Sequence, residues 1–123
     1  MNRILLAEDE EVLRMLIVDI FEDEDFTIDV AADGGEAMEF LKNNKYDLVI
    51  LDYMMPVYTG LEIVEKIRCA ETNEHTKILM LSAKSQEYEQ KKIFETGADY
   101  FMAKPFSPMK LLALVEDILD GNN

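Results

Sequence analysis

The stretch LVILDYMMP, residues 48–56, sets four apolar residues directly before a carboxylate and reaches a proline four positions later. A short, purely aliphatic run of this kind is typical of a strand that is buried on both faces. We therefore predict a strand over residues 46–51, with Asp52 at its carboxyl end and a turn at Pro56. A charge at the end of a buried strand is costly unless a neighbouring group compensates it.

Four more apolar runs alternate with segments of helical periodicity along the chain. The other predicted strands cover residues 3–7, 26–32, 77–81 and 99–103. The predicted helices cover residues 10–23, 34–44, 61–70, 85–96 and 107–120. Strands that alternate with helices in this way form a parallel sheet with helices on both faces, so the predicted fold class is α/β, doubly wound.

Local signals add detail to these elements. Asp33 and Ser107 are placed to cap the second and fifth helices, and Gly97 is placed to end the fourth. The first helix is predicted from helical periodicity, with apolar residues at four positions: Val12, Met15, Leu16 and Ile20.

Composition narrows the function classes. With 123 residues and 49% hydrophobic content, the chain suits one compact domain, residues 1–123. The formal net charge of −14 would repel a phosphate backbone, which argues against direct binding of nucleic acid. No stretch has the length of a membrane span, and the single Cys69 has no internal disulfide partner, so a cytoplasmic location is the simplest expectation.

Polar residues follow four of the predicted strands, at the edge where parallel strands end. Glu8 and Asp9 follow the first strand, Asp52 the third, Ser82 the fourth and Lys104 the fifth. Ligands of open α/β sheets bind at this edge. Taken singly, each of these residues is more often a helix cap or a solvated charge. Their convergence on one edge is what indicates a site.

The residue types at this edge predict its chemistry. Carboxylates that lie close together repel one another and require a cation, and oxygen ligands select a hard cation such as Mg²⁺. The chain has no Cys/His cluster for zinc, since His75 stands alone in a polar loop. Lys104 adds a positive charge and Ser82 a hydroxyl, so the set suits a phosphoryl group with a carboxylate as the nucleophile.

The same residues lie in four motifs that together resemble the receiver domain of two-component response regulators, over the whole chain. These motifs are ILLAEDEE (4–11), LVILDYMMPVYTG (48–60), ILMLSA (78–83) and GADYFMAKPF (97–106). Each is common alone, but their order and spacing are specific. The resemblance implies five β/α units with a parallel sheet in the flavodoxin-like order 2-1-3-4-5.

The resemblance also implies a role for each site residue. Asp52 would accept the phosphoryl group, and Asp9 would bind Mg²⁺ (or Mn²⁺) directly, with Glu8 acting mainly through water. The backbone carbonyl of Met54 would complete the protein's metal ligands. Two further roles concern the phosphoryl oxygens and the backbone: Ser82 and Lys104 would bind the oxygens, and the Lys104–Pro105 peptide bond would be cis.

A receiver domain is a switch that promotes its own phosphorylation, not a turnover enzyme. The donor would be phosphohistidine on a histidine kinase or a histidine phosphotransfer protein, or else a small phosphodonor. Switching would draw the Ser82 hydroxyl toward the phosphoryl group and turn Phe101 inward, although ordinary packing is an equal alternative for Phe101. The resemblance also implies that Met54 and Lys84 occupy the two positions that tune phosphoryl lifetime. Because Met54 cannot activate a water, we expect slow self-hydrolysis.

The resemblance further predicts where partners bind. The readout face would be the fourth helix, fifth strand and fifth helix, roughly residues 84–120, and residues 77–123 carry a nearly balanced seven acids and six bases. This face would bind a downstream protein, support dimerisation or serve an effector domain outside this sequence. Candidate contacts on this face are Lys91, Lys92, Phe106 and Met109. The kinase-facing surface would lie near Leu13 and Arg14 and the loop at Met55–Pro56.

Three other readings compete with this one. A flavodoxin-type carrier would need a hydroxyl- and glycine-rich first loop, where this chain has EDEE. A haloacid-dehalogenase-type phosphatase normally has a second aspartate two positions after the nucleophile, where this chain has Met54. A receiver-like scaffold that binds partners without phosphorylation is the nearest alternative, although all five chemically required positions hold competent groups.

Overall fold

The structure is a computed structural model that describes residues 2–70, 72–73, 75–83 and 86–121. Five strands alternate with five helices along these residues. The strands are β1 (Asn2–Ala7), β2 (Phe26–Ala31), β3 (Leu48–Asp52), β4 (Lys77–Ser82) and β5 (Tyr100–Ala103). The helices are α1 (Glu11–Phe21), α2 (Gly34–Asn43), α3 (Gly60–Cys69), α4 (Glu87–Thr96) and α5 (Pro108–Leu119).

The strands form one parallel sheet in the order β2-β1-β3-β4-β5. This confirms the predicted fold class and the order 2-1-3-4-5 that the resemblance implied. The central position of β3 explains its composition, because all five of its residues are buried. Val49 and Leu51 pack with α2, α3 and α4 on one face, and Leu48 and Ile50 pack with α1 and α5 on the other.

The helix caps follow local sequence chemistry. The side chain of Asp33 accepts a hydrogen bond from the backbone N–H of Glu36, and the Ser107 hydroxyl accepts from the first turn of α5. Both predicted caps are therefore confirmed, as is Gly97 at the end of α4, where φ is +131°. The structure adds a capping box at Thr59 and Glu62, which the pattern T-x-x-E in the sequence could have signalled.

Each predicted element differs from the structure by one or two residues at one end or both, and two of these differences lie close to the candidate site residues. The third strand covers residues 48–52 instead of 46–51, because Tyr46 leaves the ladder and donates its backbone N–H to the Asn73 side chain at 2.9 Å. Asp52 is therefore the last residue of the strand itself, which fixes its backbone in the sheet. Helix α4 begins at residue 87 instead of 85, and Lys84 and Ser85 lie outside the described residues.

Of the four apolar residues named for the first helix, only Ile20 packs against the core, where it is partly buried. Val12, Met15 and Leu16 are 71%, 58% and 47% exposed, whereas Ile17 and Phe21 are buried against the sheet and α5. Helix α1 has apolar residues on nearly every side, so periodicity alone could not identify which stripe the sheet covers. The exposed stripe leaves three large apolar side chains in contact with solvent.

Among the described residues, the structure contains no helix that is both long enough and apolar enough to cross a bilayer.

Candidate functional site

Three carboxylates meet at the carboxyl edge of the sheet. Glu8 and Asp9 directly follow β1, and Asp52 ends the neighbouring strand β3. One oxygen from each side chain lies within 4.8 Å of the others. Glu8 and Asp52 are buried, while Asp9 is exposed at the mouth of the site. The parallel pairing of β1 with β3 brings together residues that are more than forty positions apart in the sequence.

Lys104 is the cation of this cluster. Its Nζ lies 2.9 Å from Glu8 Oε1 and 3.2 Å from Asp52 Oδ1, and the lysine side chain is 15% exposed. Glu8 Oε1 accepts no hydrogen bond of regular geometry among the described residues, so this ion pair is what compensates its buried charge. Lys104 thus links the carboxyl ends of β1 and β3 to the loop after β5.

The charges of the site are strongly perturbed. Burial, together with hydrogen bonding to Asp9 and Glu8, raises the pKa of Asp52 to about 8, and the charge of Lys104 only partly opposes this. Burial would lower the pKa of Lys104, but the carboxylates of Glu8 and Asp52 outweigh burial and raise it. One ammonium is therefore too little positive charge for three carboxylates, and the site favours either a proton or an added cation.

The donor set fits Mg²⁺. A hard divalent cation prefers carboxylate and carbonyl oxygens, and the three convergent carboxylates supply the charge that it would neutralise. A buried, fully shielded carboxylate such as Glu8 is rare without a compensating cation. This acidic cluster could therefore bind a metal ion.

Backbone contacts hold the turn after β1 in place. The N–H of Glu8 donates to the Ala31 carbonyl at 3.1 Å, and Arg14 Nη1 donates to the Glu8 carbonyl at 2.8 Å. The N–H of Glu10 donates to Glu8 Oε2 at 3.1 Å. The sequence predicted Arg14 only as part of a kinase-facing surface, so its hydrogen bond to the Glu8 carbonyl was missed. An arginine six residues after the first acid carries no local pattern that would reveal its acceptor.

The loop from β3 to α3 shapes the floor of the site. The N–H of Gly60 donates to the Tyr53 carbonyl at 2.9 Å, and a Cβ at Gly60 would lie 2.7 Å from the Asp52 carbonyl oxygen. Val57 adopts a φ of +75°, and the N–H of Tyr58 closes the turn by donating to the Pro56 carbonyl at 3.0 Å. The predictions included Pro56 and Gly60, but the unusual backbone of Val57 was missed.

The remaining predicted residues lie around this cluster. Ser82 is buried as the last residue of β4, and its carbonyl accepts from the Lys104 N–H at 2.9 Å. Phe101 is half-buried on β5 and packs against the core below α2, α3 and α4. The Met54 side chain is 57% exposed, and the Lys104–Pro105 bond is cis. Lys84 lies outside the described residues.

The chain is similar to proteins of one family along most of its length. The family profile "Response regulator receiver domain" matches residues 4–116. Among curated proteins, the transcriptional regulatory protein SrrA of Staphylococcus aureus is 37% identical over 118 residues, which cover 96% of this chain and 48% of SrrA. The chain therefore spans about half the length of the curated relatives it matches.

Among the solved structures that match, two examples share both fold and length with this chain. The receiver domain of the Francisella response regulator 1452 superposes with a TM-score of 0.90 at 28% identity and covers 100% of both chains. The chemotaxis response regulator CheY4 of Vibrio cholerae superposes with a TM-score of 0.90 at 30% identity, covering 96% of this chain and 98% of CheY4.

Proposed function

The chain belongs to the response regulator receiver domain family, and from this premise we propose that it is a signalling switch in which Asp52 accepts a phosphoryl group from phosphohistidine. A receiver domain is a phosphoacceptor switch rather than a classical turnover enzyme. The observation that carries the proposal is the Lys104 ammonium, which contacts both Glu8 and Asp52 within a cluster of three carboxylates. This arrangement combines a fixed nucleophile with positive charge for an incoming phosphoryl oxygen.

Asp52 is the nucleophile in this proposal. Its position as the last residue of the central strand fixes its backbone, and its carboxylate is the one that contacts Lys104 from β3. A carboxylate oxygen forms a bond to phosphorus as the P–N bond of phosphohistidine breaks. The bonding electron pair returns to the imidazole, which leaves after taking up a proton. The product is an aspartyl phosphate.

The metal ligands would be Glu8, Asp9, Asp52 and the backbone carbonyl of Met54, with Glu8 acting mainly through water. When bound, Mg²⁺ supplies positive charge that neutralises the developing charge of the transferred group. The chain's own contribution is to hold these oxygens at one edge of the sheet, within 4.8 Å of one another for the three carboxylates.

Lys104 and Ser82 would bind the phosphoryl oxygens. The Lys104 Nζ is held 3.2 Å from the nucleophilic carboxylate, so a group bonded to Asp52 lies within reach of the ammonium. Ser82 ends the adjacent strand β4 and is joined to the Lys104 backbone by a hydrogen bond of 2.9 Å. A serine hydroxyl at this point can donate to a phosphoryl oxygen. We assign both residues to positioning of the transferred group.

The output would pass through Ser82 and Phe101 to the α4-β5-α5 face. Ser82 ends β4, Phe101 lies half-buried on the neighbouring strand β5, and Ile93 is the buried residue of α4. Movement of Ser82 toward a phosphoryl group would be passed to this face through Phe101. Exposed Tyr88 on α4 and Met109 on α5 offer apolar contact area for a protein partner. Other candidate contacts on this face are Lys91, Lys92 and Phe106.

The phosphodonor protein would dock on α1. Val12, Met15 and Leu16 form an exposed apolar stripe on the helix that directly follows Glu8 and Asp9. Exposed apolar groups of this size are typical of protein interaction sites. A histidine kinase or a histidine phosphotransfer protein seated there would present its phosphohistidine to the neighbouring site.

The lifetime of the phosphoryl group should be long. The Met54 side chain is exposed beside the site but carries no acid or amide to activate a water. We therefore expect the isolated phosphorylated domain to persist for much longer than seconds. Intact-mass measurements against time would check this expectation, and decay of the phosphorylated form within seconds would contradict it.

The proposal is tested by incubation with Mg²⁺ and acetyl phosphate, followed by intact mass. Wild type should gain one phosphoryl group and Asp52→Asn none, and chelation of the metal should prevent the gain. An equal gain in Asp52→Asn would remove Asp52 from its role. No gain in wild type would favour the phosphorylation-independent scaffold instead.

A further inference from the structure

Lys104 contacts a third carboxylate in addition to Glu8 and Asp52. Its Nζ lies 3.4 Å from Glu10 Oε2, compared with 2.9 Å from Glu8 Oε1 and 3.2 Å from Asp52 Oδ1. A lysine ammonium has three N–H donors. Three carboxylate oxygens thus lie within 3.4 Å of an ammonium that has three donors, so a phosphoryl oxygen that binds Lys104 competes with these contacts and displaces one of them.

The three contacts differ in what their release costs. The side chains of Glu8 and Asp52 are 0% and 7% exposed, so losing Lys104 would leave a poorly solvated charge at either. The Glu10 side chain is 63% exposed, and water can replace the ammonium at its carboxylate. Glu10 is thus the contact that an incoming phosphoryl group displaces most readily.

The local fold does not depend on the Glu10 carboxylate. Glu10 is the N-cap residue of α1, yet its side chain makes no capping hydrogen bond. Its backbone N–H contacts Glu8 Oε2 at 3.1 Å, a bond that any non-proline residue would preserve. The carboxylate is therefore directed to Lys104 without being required for the turn.

We propose that Glu10 is a specificity-determining residue that disfavours small anionic phosphodonors entering from solvent. Resting on the proposed function, the inference is that a phosphoryl oxygen must displace Glu10 from Lys104 and approach an additional negative charge. A phosphohistidine held by a docked protein gains free energy from the protein contacts, which offsets this displacement. A free phosphodonor has no such contacts, so Glu10 slows its reaction.

The test compares two substitutions that change the net charge equally. Glu10→Gln removes the charge that contacts Lys104, and Glu11→Gln removes the charge of the exposed next residue, the first of α1. The probe is acetyl phosphate with Mg²⁺: an Asp52 oxygen bonds to phosphorus, the P–O bond to the acetyl group breaks, and acetate leaves. Intact mass against time gives the second-order rate constant.

The expected result separates the two variants. Glu10→Gln should raise the rate constant roughly two- to five-fold, the range that an exposed ion pair supplies. Glu11→Gln should stay within about 1.5-fold of wild type, because a charge without direct contact is screened. Equilibrium binding of beryllium trifluoride in Mg²⁺, followed by amide chemical shifts, should tighten in the same order.

Two results would overturn the inference, and they are distinguishable. If wild type is phosphorylated but the rate constants of both variants rise equally, or neither rises, the Glu10 contact has no role in donor choice. If wild type takes no phosphoryl group, the proposed function fails, and the inference falls with it.

Discussion

Polar side chains are paired differently at the two edges of the sheet. At the amino edge, Arg68 donates to the carbonyls of Gly97 and Thr76 and to the carboxylate of Asp99, with distances of 2.7–3.0 Å. At the carboxyl edge, three carboxylates share the ammonium of Lys104.

A second cluster at the amino edge is equally well satisfied. The Asn73 side chain accepts from the Tyr46 N–H and the Thr76 hydroxyl, and donates to the carbonyls of Leu41 and Asn44. Every hydrogen-bonding position of this buried amide is used, which is the arrangement that stabilises a fold. The amino edge therefore contributes stability, whereas the carboxyl edge gives up stability where the three carboxylates of the candidate site converge.

The largest expected effect is a loss of stability at the amino edge. Arg68→Ala removes three hydrogen bonds to two backbone carbonyls and the ion-pair partner of Asp99, so the free energy of unfolding should fall by about 2–4 kcal/mol. Urea denaturation measures this change. Arg68→Lys keeps the charge but cannot reproduce the planar set of donors, and should lose roughly half as much. A loss below about 0.5 kcal/mol for Arg68→Ala would break the comparison, because it would match an ordinary surface position.

At the carboxyl edge, removing a charged side chain should increase the free energy of unfolding instead of lowering it. Asp52→Asn removes a charge whose pKa is raised to about 8 by burial and by its acidic neighbours. The metal-free variant should therefore be more stable than wild type near pH 8, on the order of 1–3 kcal/mol. Chemical denaturation in the presence of a chelator gives the value. Equal or lower stability of Asp52→Asn would show that Lys104 already balances the cluster.

The same perturbation predicts a pH dependence. The raised pKa means that folded metal-free protein holds a proton on Asp52 that the unfolded chain releases above its ordinary value of 3.8. The stability due to this proton is fully present below pH 3.8 and is lost as pH rises to about 8. The stability difference between Asp52→Asn and wild type should therefore widen over this interval and then level off. A difference that is independent of pH would contradict the raised pKa.

A smaller gain in stability is expected in the loop that follows Asp52. Val57 is 70% exposed and holds a φ of +75°, which disfavours a β-branched side chain. Val57→Gly should stabilise the protein by roughly 1 kcal/mol, because the relieved strain exceeds the added freedom of the unfolded chain. Val57→Ala keeps a Cβ and should gain less. If Val57→Gly is destabilising, then this part of the carboxyl edge stores no strain.

Much of the fold was predictable because it rests on local patterns. The buried run before Asp52 predicted the central strand, and its alternation with helical segments predicted the parallel sheet. The face of α1 was not predictable, since Val12, Met15 and Leu16 are as apolar as the residues that are buried. Only the packing of α1 against α5 and the sheet decides which stripe is covered.

The candidate site also has features that the sequence predicted and features that it did not. The residues that follow strands could be named from the sequence, because parallel strands all end at one edge. The contact of Glu10 with Lys104 joins positions 94 residues apart, and the amino-edge contacts of Arg68 join α3 to the start of β5. No local pattern encodes such long-range pairs, since they depend on side-chain direction in the folded protein.

The most direct test of the account is to locate the phosphoryl group on the chain. After reaction with acetyl phosphate and Mg²⁺, borohydride reduction converts an aspartyl phosphate to homoserine, which peptide mass spectrometry can place. We predict homoserine at position 52 alone, and none when the metal is chelated. Two results would contradict the assignment of Asp52. One is a reduced residue at position 8 or 9 instead of position 52, and the other is an unmodified Asp52 in a protein that has gained mass.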